Sequence, residues 1–193
     1  MHPSPLQTAV LGLAFALLVW YFFGSYLNRR RANHLARAIA AAAPTLGKGA
    51  TIRPLGTGGS GFQVQIQEPV PELRSATLLC LLEARDFPLA WAYTRLRGRR
   101  DQIVLHAELR RPPRHPRRLT RPLPDRGLPR LLLLETSPQS PHLRLSFGVG
   151  GGEEEQIPRA FALALEVARG AWPDSSAGES RPAGAPEKTR PAG

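Results

Sequence analysis

The chain has 193 residues and a formal net charge of +11, with only two lysines, Lys48 and Lys188, among its 26 basic residues. A single cysteine, Cys80, excludes an intramolecular disulfide framework and a multi-cysteine zinc module, and 42% hydrophobic residues is too apolar for wholesale disorder. Arginine is abundant alongside Ala, Pro, Gly and Leu, as a GC-rich coding sequence would give, so where the charge lies says more than its sum. Four arginines (29, 30, 31 and 37) fall just after an apolar run, and eight fall between Arg110 and Arg130, against one acid there, Asp125.

Residues 1–5 form a short N-terminus without Lys or Arg. Residues 6–27 (LQTAVLGLAFALLVWYFFGSYL) carry no charge, and a helix of that length spans about 33 Å, the thickness of a bilayer's hydrocarbon core. Trp20, Tyr21, Phe22, Phe23 and Tyr26 crowd its C-terminal end, where amphipathic rings favour the membrane interface. Arg29, Arg30 and Arg31 follow as topology determinants: the positive-inside rule places the N-terminus outside and the remainder in the cytoplasm of a single-pass cell-membrane protein. A cleaved signal peptide is the competing reading. Against it stand an uncharged start, an over-long apolar run, and a small-residue stretch lying beyond the arginines.

Residues 28–43 continue with helical spacing as a basic juxtamembrane helix, with Leu35, Ile39 and Ala42 or Ala43 on one side and Pro44 as the stop. Residues 44–172 are expected to form a cytoplasmic α+β domain. Ala50–Leu55 and Phe62–Gln67 read as a hairpin, since Phe62, Val64 and Ile66 alternate with glutamines. The glycine-rich stretch 56–61 is its tip, because a phosphate-cradling loop would need a helix after it rather than a strand. Thr77–Glu83 reads as a central strand buried on both faces.

Asp86 is a candidate N-cap for a helix of about eleven residues, with Pro88 in its first turn and Gly98 at its end. This helix is apolar on two sides. Phe87, Ala90, Trp91 and Thr94 make one face, while Leu89, Ala92 and Leu96 make the other, which is a candidate partner or membrane face if the domain itself does not cover it. Gln102–Leu109 is a strand that turns His106 away from the core.

Arg110–Arg130 holds six prolines and no periodicity, and reads as an extended, polyproline-like loop that neither packs nor pairs. Arg114, Arg117, Arg118 and Arg121 are its candidate phosphate- or anion-binding residues, for RNA phosphates or anionic lipid headgroups, unless the loop is simply solvated. With no aromatic residue between the arginines, nucleic-acid contact would be to the backbone and not by base stacking.

Leu131–Thr136 and Leu143–Val149 read as two more strands. Glu153, Glu154 and Glu155 precede a helix whose apolar stripe is Ile157, Phe161, Ala164, Leu165, Ala168 and Trp172, and are expected to favour the positive end of its dipole. Residues 173–193 are expected to be a disordered tail. The five histidines are scattered and no metal-ligand, nucleophile or nucleotide motif has a supporting context. No catalytic residue, metal, cofactor or small-molecule substrate is therefore predicted, and a non-enzymatic binding role is favoured over an enzyme with an unrecognised site.

The order of a membrane helix, a juxtamembrane helix beginning NRRRANHLARA, the segment LLEARDFPLAWAYTRLRGRRDQIVLHAEL (81–109) and the late LRLSFGVGGGEEEQIPRAFALALEVARGAW (143–172) resembles the calumin-like coiled-coil-domain subunit of the PAT complex. The resemblance implies a bitopic protein whose α+β cytosolic domain meets ribosomes and the translocation channel during insertion of multi-spanning membrane proteins. It transfers no catalytic residues. The sequence thus leads to an α+β fold with a mainly antiparallel sheet of five or six strands and two packed helices behind one membrane helix. Its function reads as an adaptor in membrane-protein insertion at the ribosome or translocon, with an alternative in which the Arg-rich loop makes it a scaffold on anionic lipid.

Overall fold

A computed structural model describes residues 4–55, 60–83, 85, 87–98 and 100–173. The expected glycine tip at 56–59, the Asp86 cap and the tail beyond Pro173 lie outside these residues. Helix α1 runs unbroken from Pro5 to Ala42, about 57 Å at 1.5 Å per residue. Ser4 caps it, its hydroxyl accepting from the Gln7 amide while the Gln7 side chain accepts from the Ser4 amide. A 3-10 turn, Ala43–Thr45, ends the helix at Pro44.

Seven strands follow: β1 (Gly47–Pro54), β2 (Gly61–Pro69), β3 (Leu73–Leu81), β4 (Asp101–Leu109), β5 (Arg117–Leu119), β6 (Leu131–Thr136) and β7 (Leu143–Val149). They form one antiparallel sheet in the order β1-β2-β3-β4-β7-β6-β5. Helix α2 (Pro88–Leu96) lies in the β3–β4 connection and α3 (Gln156–Ala168) follows β7. The α+β class is as expected, but the sheet has one strand more than the sequence suggested.

The extra strand comes from the Arg-rich segment, which does pair: Arg117, Arg118 and Leu119 sit opposite Thr136, Glu135 and Leu134. Leu119 and Leu128 are buried, so two leucines anchor a segment whose prolines fall outside the short ladder. An edge position tolerates such a sequence because one side of the strand needs no partner.

The core lies on one face of the sheet. The registered row Val64, Leu78, Leu105, Leu145 and Leu134 is fully buried beneath α3 and the C-terminal half of α1. Leu35, Ile39 and Ala42 of α1 enter it beside Ile157, Phe161 and Ala164 of α3. Among the described residues no helix covers the opposite face, which carries the row Thr51, Gln65, Thr77, His106, Arg144, Glu135 and Arg118. Strand β3 is accordingly buried on one face, through Leu73, Ala76, Leu78 and Cys80, and not on both. His106 faces away from the core as expected, half-buried beside Arg144, and burial together with that cation lowers its pKa.

The apolar half of α1 leaves the domain at one end of the sheet. Residues 5–19 of α1 are exposed, while Asn28 and Arg31 meet the ends of β3, β4 and β7. This exit end holds Leu81, Asp101 and Val149, and the far end holds Leu73, Leu109 and Leu143. Strand β4 separates the two by about 26 Å.

Candidate functional site

Two charged constellations occupy the two ends of the sheet. At the far end, the chain leaves β4, loops through 110–116 and returns as β5, while α3 ends at Ala168 beside it. Between them lies a cleft of about 350 Å³ lined by Arg111, Arg114, His115, Arg117, Arg169 and Trp172, among others. Glu72 neutralises Arg169 at 2.8 Å, and hydrogen bonding to that guanidinium lowers the Glu72 pKa. No carboxylate among the described residues pairs with Arg111, Arg114 or Arg117. The Arg117 guanidinium stands 5.8 Å from the centre of the Trp172 ring, within cation–π range. Three cations and a half-buried indole around one recess suit a phosphate with an attached flat group.

The four arginines singled out in the sequence do not share one recess. Arg114 and Arg117 enter the cleft, whereas Arg118, the next residue on a strand, points to the open face opposite Glu135. Arg121 lies past β5 and outside the cleft. Sequence reading missed Arg111 and placed Trp172 only on the stripe of α3. No aromatic lies between the arginines in sequence, but the fold brings Trp172 to Arg117 from 55 positions further on, and no local pattern could show it.

At the exit end, α1 is clamped to the sheet. Arg31 donates to Asp101 at 2.8 Å, to Glu154, and to the Gly150 carbonyl at 2.7 Å. Arg85 donates to Asn28 at 2.9 Å and bridges Glu83 and Asp101 at 3.3 and 3.2 Å. Asp101 also accepts from the Glu83 amide at 3.0 Å. Burial opposes the charge on Arg31, but its hydrogen bonds to Asp101 and Glu154 outweigh this and raise its pKa. Burial pushes the Glu154 carboxyl up and the bonds to Arg31 pull it down further, for a net lowering.

Arg31 is thus a docking residue held by two carboxylates and by the Val149 and Gly150 carbonyls, and not a freely solvated charge, while Arg29 and Arg30 are exposed. Two of the glutamates ahead of α3 are engaged by other partners. Glu153 accepts from the Gly150 amide and pairs with Arg130, Glu154 holds Arg31, and the Glu155 side chain makes no cap hydrogen bond.

Helix α2 stands beside this clamp. Its residues Leu89 and Leu96 are 74% and 88% exposed, so the domain leaves uncovered the apolar face flagged in the sequence. The opposite side meets α1, where the Trp91 and Trp20 rings lie 6.0 Å apart and the Trp20 indole donates to the Arg85 carbonyl at 3.1 Å. Gly98, at φ +70°, terminates the helix in the left-handed region that glycine adopts at no steric cost. Compared with known proteins, the chain matches no family model and no curated protein sequence.

Proposed function

We propose that the protein is a non-enzymatic, single-pass membrane adaptor that holds a phosphate-binding cleft away from the bilayer, toward a cytoplasmic partner. The 6–27 segment of α1, apolar and exposed from Leu6 to Val19, crosses the membrane. The exposed Arg29 and Arg30 keep the domain end in the cytoplasm, as the positive-inside rule requires. The resemblance to the PAT-complex subunit supplies the setting: a ribosome or translocon engaged in membrane-protein insertion, whose RNA phosphates are the natural ligand of Arg111, Arg114 and Arg117.

One observation carries this reading. The cleft lies at the sheet end remote from the apolar half of α1, about 26 Å along β4. At physiological salt the Debye length is about 8 Å, so these arginines are screened from the headgroups of the membrane holding α1. That separation favours a macromolecule in the cytoplasm over the alternative in which this loop binds anionic lipid.

Co-sedimentation of the full chain in detergent with ribosomes, at rising salt, tests the proposal. Binding through three phosphates weakens with a log–log salt slope of about −2 to −3, and R114A/R117A lowers both affinity and slope. Binding indifferent to salt and to these substitutions would refute phosphate contact. Recovery of the same protein on anionic vesicles through Arg114 and Arg117, without ribosome binding, would favour the lipid alternative.

A further inference from the structure

The exposed face of α2 has a definite position relative to α1. Leu89, Ala92, Tyr93 and Leu96, at positions i, i+3, i+4 and i+7, form one exposed stripe turned away from the protein, with Leu89 and Leu96 more exposed than Tyr93. Phe87, just ahead of the helix, is also more than half exposed. On the other side, Trp91 packs against Trp20 of α1, seven residues inside the end of the apolar 6–27 run. That contact sets α2 about 10 Å within the apolar length of α1. Exposed Arg97 flanks the stripe, its guanidinium covering the Tyr93 ring at 4.5 Å, while Arg95 turns toward Glu83 of the clamp.

We infer that α2 is a second membrane contact, an interfacial helix whose Leu89–Leu96 stripe is immersed at the boundary between headgroups and acyl chains, with Arg97 at the phosphates. The inference rests on α1 crossing the bilayer. If it does, the packing of Trp91 on Trp20 leaves the stripe no aqueous position. The depth matches the roughly 5–10 Å to which amphipathic helices sink their apolar faces. Aromatic and arginine side chains around the stripe are the groups that such a boundary favours, with an apolar body inside and a polar or charged tip at the phosphates. A soluble partner would have to compete with lipid for the same surface. Two-point attachment also fixes the domain's tilt, so the far-end cleft points away from the bilayer and does not sweep over it.

The test uses the full-length protein in phosphatidylcholine vesicles. An environment-sensitive fluorophore is attached through Leu96→Cys, Leu13→Cys or Gln139→Cys, since native Cys80 is buried and escapes labelling. Nitroxide lipids labelled near the headgroup or near the chain end serve as quenchers. The expected result is a probe at 96 that loses most of its emission to the headgroup-side quencher, a probe at 13 quenched from the chain-end side, and a probe at 139 unaffected. A probe at 96 that behaves like the one at 139, while 13 is quenched, would overturn the interfacial helix and leave the anchor standing. Efficient disulfide crosslinking of Leu96→Cys between copies, without lipid quenching, would assign the stripe to a second copy and equally overturn it. If 13 is not quenched either, the membrane span itself fails and the inference falls with it.

Discussion

Arg31 and Asp101 meet at 2.8 Å in a site where the Asp101 side chain is 3% exposed. Removing one member of an isolated buried ion pair typically costs about 3–5 kcal/mol, and less here because Asp101 keeps Arg85 and Arg31 keeps Glu154. Arg31→Ala and Asp101→Asn should each lower the urea midpoint of the detergent-solubilised protein. Arg30→Ala, one position away and exposed, should leave it unchanged within about 0.5 kcal/mol. The pH dependence follows from Glu154. Its folded-state pKa lies below the ordinary carboxylate value of 4.5, so the stability it contributes is complete above that value and is lost as pH falls through the lower, folded pKa. Glu154→Gln should flatten this acid limb of the melting-temperature profile. His106 acts at milder pH: its pKa is lowered by burial and by Arg144, so the neutral form is favoured in the fold. The stability it contributes is present above about 6.5 and declines as pH drops through the folded value, a slope that His106→Gln should remove.

At the scale of elements, α1 is two helices' worth of function on one continuous rod. The stripe Trp20, Gly24, Asn28, Arg31, Leu35, Ile39 and Ala42 recurs at three- and four-residue spacing along one side, and each member is buried or half-buried against the domain. Leu35 and Ile39 are fully buried in the same core as α3. Leu35→Ala or Ile39→Ala should cost about 2–5 kcal/mol in chemical denaturation. A chain beginning at Pro44, which deletes both, should fail to give a sharp urea transition, while one beginning at Arg29 should keep it. The 28–43 segment is thus structurally part of the domain as well as a continuation of the apolar helix. Its Leu35, Ile39 and Ala42 side was readable from spacing, because apolar residues at helical intervals need a core to bury them. The Gly24, Asn28 and Arg31 portion was not, because a small or polar residue reveals its facing only when its hydrogen-bond partner, Asp101 accepting from Arg31 or Arg85 donating to Asn28, is brought to it from 57 to 70 residues on. Strand β5 was missed for a related reason: three residues among prolines carry no periodicity, and only the neighbouring edge of β6 makes them a strand.

For the whole molecule, the decisive geometry is that the apolar half of α1 and the Arg111, Arg114 and Arg117 cleft lie at opposite ends of one sheet. Single-pass anchoring with the domain inside makes a clear prediction in a cell. A reporter fused after Gly193 should be active only in its cytoplasmic form, and Arg29→Glu/Arg30→Glu should shift a measurable fraction of molecules to the opposite orientation. By itself, the sequence determined the long apolar helix, the hairpins, the α3 stripe and the α+β class, since burial of alternating or helically spaced side chains is a local property of the chain. It also located the surplus arginines. Only the tertiary structure decided which of them share a site, because neighbours on a strand face opposite ways and Trp172 joins Arg117 through the packing of α3. It alone also set that site at the far end of β4 and left the Leu89–Leu96 stripe of α2 uncovered beside α1, since both follow from how α1 crosses the sheet.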